Sequence, residues 1–245
     1  MKRTWLILGA SSSIGRAFGR QVAARGCRVL LAGRDMPDLE RNAQDIATRY
    51  GGEARALQFD AADSAGHAAI GAALAESGGP IGVFLLFGAM PEQADIDMDF
   101  ELARQTVEVN YLGAMSVLSV LAPVFEARSE GRIVVLSSVS GDRGRLKNYV
   151  YGSAKAGLNA YLQGLRARLW RRGVTVTTVK AGFIDTDMTF GSPGLFLVAS
   201  PDDCAAACLR LAEAGRETAY FPWFWRYIML IIRYIPERIF KRLNI

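Results

Sequence analysis

Short apolar or β-branched runs alternate with longer helix-patterned stretches along most of this chain, and that alternation restricts the fold more than any other feature. The runs are Thr4 to Leu8, Arg28 to Ala32, Ala54 to Phe59, Ile81 to Phe87, Arg132 to Ser137 and Val174 to Lys180. Between them, Ile14 to Ala24, Asp38 to Tyr50, Phe100 to Phe125 and Tyr151 to Arg171 carry apolar residues every three to four positions. Apolar strands alternating with amphipathic helices belong to a parallel sheet covered on both faces. The pattern predicts an α/β chain with a doubly wound, Rossmann-type sheet. A seventh strand is expected near Glu217 to Phe221, and a ligand crevice at the carboxyl ends of the strands. No Pro/Gly-rich linker interrupts the alternation, so residues 1–221 read as one catalytic domain and 222–245 as a C-terminal amphipathic helical extension.

Composition narrows the chemistry. The 245 residues are 51% hydrophobic and 22% charged, enough for a large core and without a low-complexity tract. His67 is the single histidine and stands in a polar, Ala-rich helical stretch, where it reads as an ordinary surface residue. One histidine leaves no Ser-His-Asp triad and no histidine metal site. Cys27, Cys204 and Cys208 cannot all pair and have no partners for a metal, so they read as buried small residues in a reducing compartment. Met1-Lys2-Arg3 before an apolar run imitates a secretory leader. The run from Trp5 to Leu8 is too short for one and passes straight into Gly9, Ser11, Ser12 and Ser13, so it reads as a first strand and the protein as cytoplasmic. The net charge is +5, and +4 of it lies beyond Phe221, in Arg226, Arg233, Arg238, Lys241 and Arg242 against Glu237. The body is nearly neutral and has no basic stripe with interleaved aromatics, so nucleic acid is set aside as a partner.

Gly9-Ala10-Ser11-Ser12-Ser13-Ile14-Gly15 lies between the first strand and the first helix. Small residues there let the backbone approach a pyrophosphate, and free N–H groups at a helix start supply donors and a positive dipole end. A tight turn without a ligand has the same composition, so position is what gives the loop weight. At the end of the second strand an acid would bond the ribose hydroxyls of NAD(H). This chain has Ala32-Gly33-Arg34, with Gly33 at the acidic position and Asp35 placed to start a helix. Arg34 suits a 2′-phosphate, which favours NADP(H) and leaves NAD(H) possible.

Tyr151-Gly152-Ser153-Ala154-Lys155 places a phenol and an ammonium four apart, on one face of a helix. A neighbouring cation favours the ionised phenol and adapts it for proton transfer. Ser138 ends a predicted strand thirteen residues earlier, and Asn110 lies in the preceding long helix. In order and spacing, Asn110, Ser138, Tyr151 and Lys155 resemble the tetrad of the short-chain dehydrogenase/reductase family. The glycine loop resembles that family's Gly-x-x-x-Gly-x-Gly signature, with Ser13 at the central glycine. The resemblance runs from Thr4 to about Phe221. It implies hydride transfer between a nicotinamide cofactor and a carbonyl or secondary alcohol, in a homo-oligomer, dimer or tetramer. By the same resemblance Tyr151 protonates the carbonyl oxygen and Ser138 bonds it. Lys155 also bonds the nicotinamide ribose, and Asn110 holds a water that relays protons. Gly9, Ser11, Ser12, Ser13, Ile14, Gly15 and Gly88 fall on the cofactor side, Asp60 and Ala61 flank the adenine, and Ile184 and Thr186 hold the carboxamide.

Two departures stand out. The family's Asn-Asn-Ala-Gly after strand four is Leu85-Leu86-Phe87-Gly88 here, and its Pro-Gly after strand six is Ala181-Gly182. Both bear on cofactor affinity more than on the chemistry. The segment from Asp187 to Ser200, where the family carries its substrate lid, is rich in Met, Phe and Leu, which suits either an apolar substrate or a lid packed on the body. Arg143, Arg145 and Lys147, between Ser138 and Tyr151, suit either a solvated loop or an anionic group on the substrate.

The tail from Trp223 to Ile235 is too short to span a bilayer, and its two arginines lie seven apart on one helical face. Pro236 opens a second basic stretch with Ile239, Phe240 and Leu243 apolar. Aromatics, a wide apolar face and cations describe an anchor on the inner face of an anionic membrane, against a subunit contact or a flap over the site. The Gly141-Asp142-Arg143-Gly144-Arg145 loop and this tail also resemble bacterial ketoreductases of the decaprenylphosphoryl-ribose kind. That likeness implies a lipid-linked ketone. A soluble carbonyl or steroid-type reductase of broad specificity and a nucleotide-binding regulator without turnover are the alternatives, the last disfavoured by Tyr151.

Overall fold

The computed structural model describes residues 2–186, 188 and 197–243. Among them seven strands form one parallel sheet: β1 (Thr4–Leu8), β2 (Arg28–Gly33), β3 (Ala54–Gln58), β4 (Ile81–Leu85), β5 (Gly131–Ser138), β6 (Val174–Ala181) and β7 (Thr218–Phe221). Their order is β3-β2-β1-β4-β5-β6-β7. The helices are α1 (Ser13–Ala24), α2 (Met36–Tyr50), α3 (His67–Ala75), α4 (Gln93–Met98), α5 (Phe100–Val107), α6 (Gly113–Arg128), α7 (Tyr149–Trp170), α8 (Pro201–Glu213), α9 (Trp225–Tyr234) and α10 (Glu237–Phe240).

The apolar alternation of β1 explains the layering. Leu6 and Leu8 join Val83, Leu85, Val117, Leu121, Leu158 and Leu162 in the core beneath α3, α6 and α7. Trp5 and Ile7 point the other way, to Phe18, Leu31, Ile46, Phe84 and Cys208 beneath α1, α2 and α8. Trp5 meets Phe18 edge-on at 5.0 Å between ring centroids, and each such fully buried side chain contributes about 1.5–3 kcal/mol. Because β1 pairs with β2 on one side and β4 on the other, the chain leaves β1 in opposite directions and opens a crevice at the carboxyl ends of these strands.

Three expectations need correction. The helix pattern from Phe100 to Phe125 is not one α-helix. Its backbone widens into a π turn at Glu108–Leu112 between α5 and α6. Flanking apolar residues keep helical spacing, so the wider turn leaves no mark in the periodicity. His67 is fully buried rather than a surface residue. Its Nε2 donates to the Asp60 carbonyl at 3.0 Å, since a carbonyl only accepts, and Nδ1 therefore accepts from the Ser116 hydroxyl at 2.9 Å. Cys204 and Cys208 are buried as expected, whereas Cys27 is only half-buried.

Candidate active site

The glycine loop is shaped by its own small residues. Gly9 has φ +100°, a conformation that L side chains rarely adopt, and its N–H and that of Ala10 both donate to the Ala32 carbonyl. Ser12 caps α1, its Oγ accepting from the Gly15 N–H at 3.1 Å while donating to the Gly9 carbonyl at 2.9 Å. Gly15 does not line the crevice. A Cβ there would lie 2.7 Å from the Gly9 oxygen, so this glycine serves the close packing of helix on loop. Among the described residues the N–H groups of Ser13 and Ile14 find no backbone or side-chain acceptor, and both residues line the crevice. Unpaired donors at the start of a three-turn helix beside a glycine cradle fit the pyrophosphate of a dinucleotide.

The crevice has a volume of ≈ 380 Å³. Gly9, Ser11, Ser12, Arg34, Asp60, Ala61, Gly88, Ile184 and Thr186 line it together with Ser138, Tyr151 and Lys155. Arg34 is exposed at its rim, and its guanidinium bonds to no side chain among the described residues. Asp35 caps α2, accepting from the Asp38 N–H, and makes no ion pair with Arg34. Asp60 accepts from the Ala62 N–H at 3.0 Å, and the His67 bond to its carbonyl fixes the Asp60–Ala61 step from behind. Sequence reasoning missed the apolar lining of Phe59, Leu86, Phe87, Val109 and Leu136, while Met188, from the segment expected to carry the lid, does line the crevice. Phe59 and Leu86 directly follow strands and Phe87 and Leu136 lie within two residues of strand ends, which is the signal that would have found these four. Of the segment from 187 to 200, residues 187 and 189–196 lie outside the described residues, as does most of the lid reading placed on it.

Ser138, Tyr151 and Lys155 meet where β5 and α7 converge. The Ser137 hydroxyl bonds Asn159 Oδ1 at 2.7 Å, which ties the end of the strand to α7. The Ser138 hydroxyl lies near the Tyr151 phenol, and its Oγ accepts from the Ser140 N–H at 3.1 Å. The Lys155 ammonium sits over the Tyr151 ring, 5.5 Å from its centroid, instead of at the phenol oxygen. The expected depression of the phenol is therefore absent. Burial pushes Tyr151 up to about 12, against the smaller lowering influence of the nearby Ser138 hydroxyl. Burial also brings Lys155 down to about 8.

Asn110 lies in the π turn and is buried. Its Nδ2 donates to the Ala89 and Thr106 carbonyls at 2.6 and 2.9 Å, and its Oδ1 accepts from the Ala89 N–H at 3.3 Å. Both N–H groups are spent on backbone, so the expected hold on a relay water has at most one Oδ1 lone pair left to it. The amide instead fixes Ala89, a wall residue of the crevice.

Arg143 and Arg145 are neither solvated nor turned to the crevice. Arg143 Nη1 donates to the carbonyls of Ile232, Arg233 and Ile235 at 2.6, 3.2 and 2.6 Å, and Arg145 Nη2 donates to Met229 Sδ at 3.0 Å. Only Lys147 is exposed as a loop residue would be. No tail residue is among those that line the crevice, so among the described residues the flap reading finds no support.

A seven-stranded parallel sheet with a dinucleotide cradle and a Ser, Tyr and Lys at its mouth defines a nicotinamide-dependent oxidoreductase. The chain belongs to the short-chain dehydrogenase family, whose model matches residues 3–192. It is 34% identical over 239 residues to an uncharacterized oxidoreductase of Mycobacterium tuberculosis, covering 97% of this chain and 96% of that one. Its fold is similar to a solved short chain dehydrogenase/reductase family protein, with TM-score 0.79, 29% identity and coverage of 89% and 94%. It is also similar to a short-chain dehydrogenase from Sphingobium yanoikuyae in complex with NADPH, with TM-score 0.78, 24% identity and coverage of 96% of each chain. These relatives carry the family and its NAD(P)-dependent oxidoreductase activity, and none of them carries the narrower likeness to decaprenylphosphoryl-ribose ketoreductases.

Proposed function

We propose that this protein is an NADPH-dependent reductase of an apolar or lipid-linked ketone. The observation that carries the reading is the convergence of Ser138, Tyr151 and Lys155 in one crevice with the loop from Gly9 to Ile14. NADPH bound there supplies the hydride. Tyr151, protonated at neutral pH, donates its proton to the carbonyl oxygen. Ser138 donates a hydrogen bond to the same oxygen and fixes its position as negative charge develops. Lys155 supplies a buried cation beside the phenol, and Asn110 holds the wall at Ala89. The apolar Met188, in the segment where the family carries its substrate lid, supports a greasy substrate. The test is a screen of lipid and sugar ketones with NADPH, followed at the cofactor's absorbance. Loss of absorbance with none of them, in protein shown to bind NADPH, would favour a regulator without turnover.

Arg34 carries the cofactor preference in this reading, and the NADPH of the Sphingobium relative is in keeping with it. Arg34→Leu is expected to weaken NADPH by about tenfold or more, the worth of a hydrogen bond to a charged group, while NADH changes little. Equal loss for both cofactors in a binding titration rules the role out.

The tail supports peripheral membrane association. One face of α9 is docked through Trp225 and Met229, while Trp223, Tyr227, Leu230, Ile231 and Tyr234 form an exposed stripe, with Trp223 72% and Tyr234 78% exposed. Arg226, Arg238, Lys241 and Arg242 are exposed around it. Each cation near an anionic surface adds about 1 kcal/mol, and the stripe adds a part that salt does not screen. The full chain is expected to co-sediment with anionic vesicles, less so in high salt. An Ile231→Asp, Tyr234→Ser variant should stay in the supernatant. If the unaltered chain also stays there, the stripe is better read as a contact with a second copy.

A further inference from the structure

The C-terminal helix and the turn that follows Ser138 are built as one unit, and we propose that Arg143 makes α9 a positioning element for Ser138. The inference rests on the role given to Ser138 above. Ser138 leads directly into the 3-10 turn Val139–Asp142, and its Oγ accepts from the N–H of Ser140 within that turn. The direction of the Ser138 hydroxyl therefore depends on where the turn sits. Two sets of contacts hold it.

From the sheet side, the Asp142 carboxylate accepts from the Lys180 ammonium on β6 and from the Tyr220 hydroxyl on β7 at 2.6 Å. From the outside, Val139 is buried in one apolar cluster with Trp225 and Met229. Arg143, next in the chain, reaches the C-terminal end of α9. Its Nη1 contacts to the Ile232, Arg233 and Ile235 carbonyls are joined by an Nη2 bond to Glu237 at 3.0 Å. The guanidinium also stacks on Phe240, 3.8 Å from the ring centroid. The last carbonyls of a helix have no partners within it and lie at its negative end, so a planar cation with several donors is suited to cap them. Lysine has the charge without the fork.

The same helix touches the opposite wall. An added Cβ at Gly182 would collide with the Trp225 indole, so the glycine that directly follows β6 is what admits this tryptophan. Phe183 meets Trp225 edge-on at 5.3 Å and directly precedes Ile184, which lines the crevice. One helix thus braces the turn that follows Ser138 and the loop bearing Ile184, without entering the crevice itself.

The test compares the unaltered chain with Arg143→Ala, Arg143→Lys and, from the tail side, Phe240→Ala, so that a misfolded variant does not end the experiment. For Arg143→Ala, kcat should fall about tenfold while the KM and Kd for NADPH stay within about twofold. Arg143→Lys should recover only part of the loss, and Phe240→Ala should give a smaller one. Hydrogen exchange should quicken together in residues 139–145 and 225–240. Unchanged exchange over 139–145 overturns the proposal whether or not a substrate is in hand. So does an unchanged kcat, or a fall in kcat matched by an equal loss of cofactor affinity. An unaltered chain that reduces no ketone counts against the functional reading instead, and the exchange result still decides this one.

Discussion

Tyr151→Phe is expected to lower kcat for ketone reduction by about 10²–10⁴-fold while leaving NADPH affinity nearly unchanged. The substitution removes one hydroxyl and almost no volume, and the ring still packs beneath the Lys155 ammonium. What is lost is the proton delivered to the carbonyl oxygen. Because burial holds the phenol at about 12, it is protonated throughout the neutral range, so the unaltered chain does not lose its acid by titration at moderate pH. The measurement is single-turnover reduction with saturating NADPH, beside a fluorescence titration of the cofactor. A rate within about tenfold of the unaltered chain would remove Tyr151 from the chemistry and with it the proposed mechanism.

Lys155→Met should move activity and stability in opposite directions. Lys155 is buried and its pKa lies at about 8 against an ordinary 10.5, with burial as the cause. The folded state therefore binds its proton less well than the unfolded chain. Below about pH 8 both states carry the charge and the full penalty of burying it applies. Between about 8 and 10.5 the folded state sheds the proton first, so the penalty fades and stability rises with pH. A displacement of this size corresponds to about 3 kcal/mol below pH 8, and a methionine of similar shape should recover roughly 1–3 kcal/mol of it. The observable is a higher Tm at pH 7 and a flatter stability profile between pH 8 and 10 than in the unaltered chain. Comparing the two proteins cancels the other groups that titrate there, such as Cys208, whose raised thiol acts with opposite sign. Turnover should fall at least a hundredfold, because the cation beside Tyr151 is gone. In the unaltered chain kcat/KM should likewise decline as pH rises through about 8. A variant that is less stable at pH 7, with the same pH slope, would show that the buried ammonium is fully compensated by its surroundings.

The parts of the molecule that follow from local burial were legible in the residues. β1 had to be a largely apolar run because both its faces are covered, and four apolar side chains after Thr4, Trp-Leu-Ile-Leu, could be read as such. Tyr151 and Lys155 were legible because helical spacing alone brings them together. Ser138 was legible because it closes a strand whose carboxyl end faces the crevice. Partners far apart in sequence were not. Arg143 and Arg145 announce charge, but their acceptors lie some ninety residues away in the tail, and no pattern near residue 143 names them. His67 misled for a related reason. Its polar, Ala-rich neighbourhood reads as a solvated helix, whereas the start of α3 is pressed against Ser116 on α6 and carries its two bonds inward. The phenol of Tyr151 shows the limit of spacing as a guide to electrostatics: it fixed the neighbour and left undetermined whether the cation faces the oxygen or the ring.

The wide turn at Glu108–Leu112 sets the phase of everything that follows it. It holds one residue more than regular α-helical winding would place there, and each residue advances a helix by about 100°. Excising a single residue from it would leave a continuous helix from Phe100 towards Arg128 with, by itself, a more regular backbone across the excised turn. The same excision would bring α5 and α6 into a different rotational register. Asn110 would then swing away from the Ala89 carbonyl that it holds at 2.6 Å, or α6 would be turned off the sheet that it covers. A chain shortened in this way would have the better helix and the looser crevice wall. The irregular turn thus acts as a phase shifter, which lets one helical segment satisfy a core behind it and a reaction centre in front.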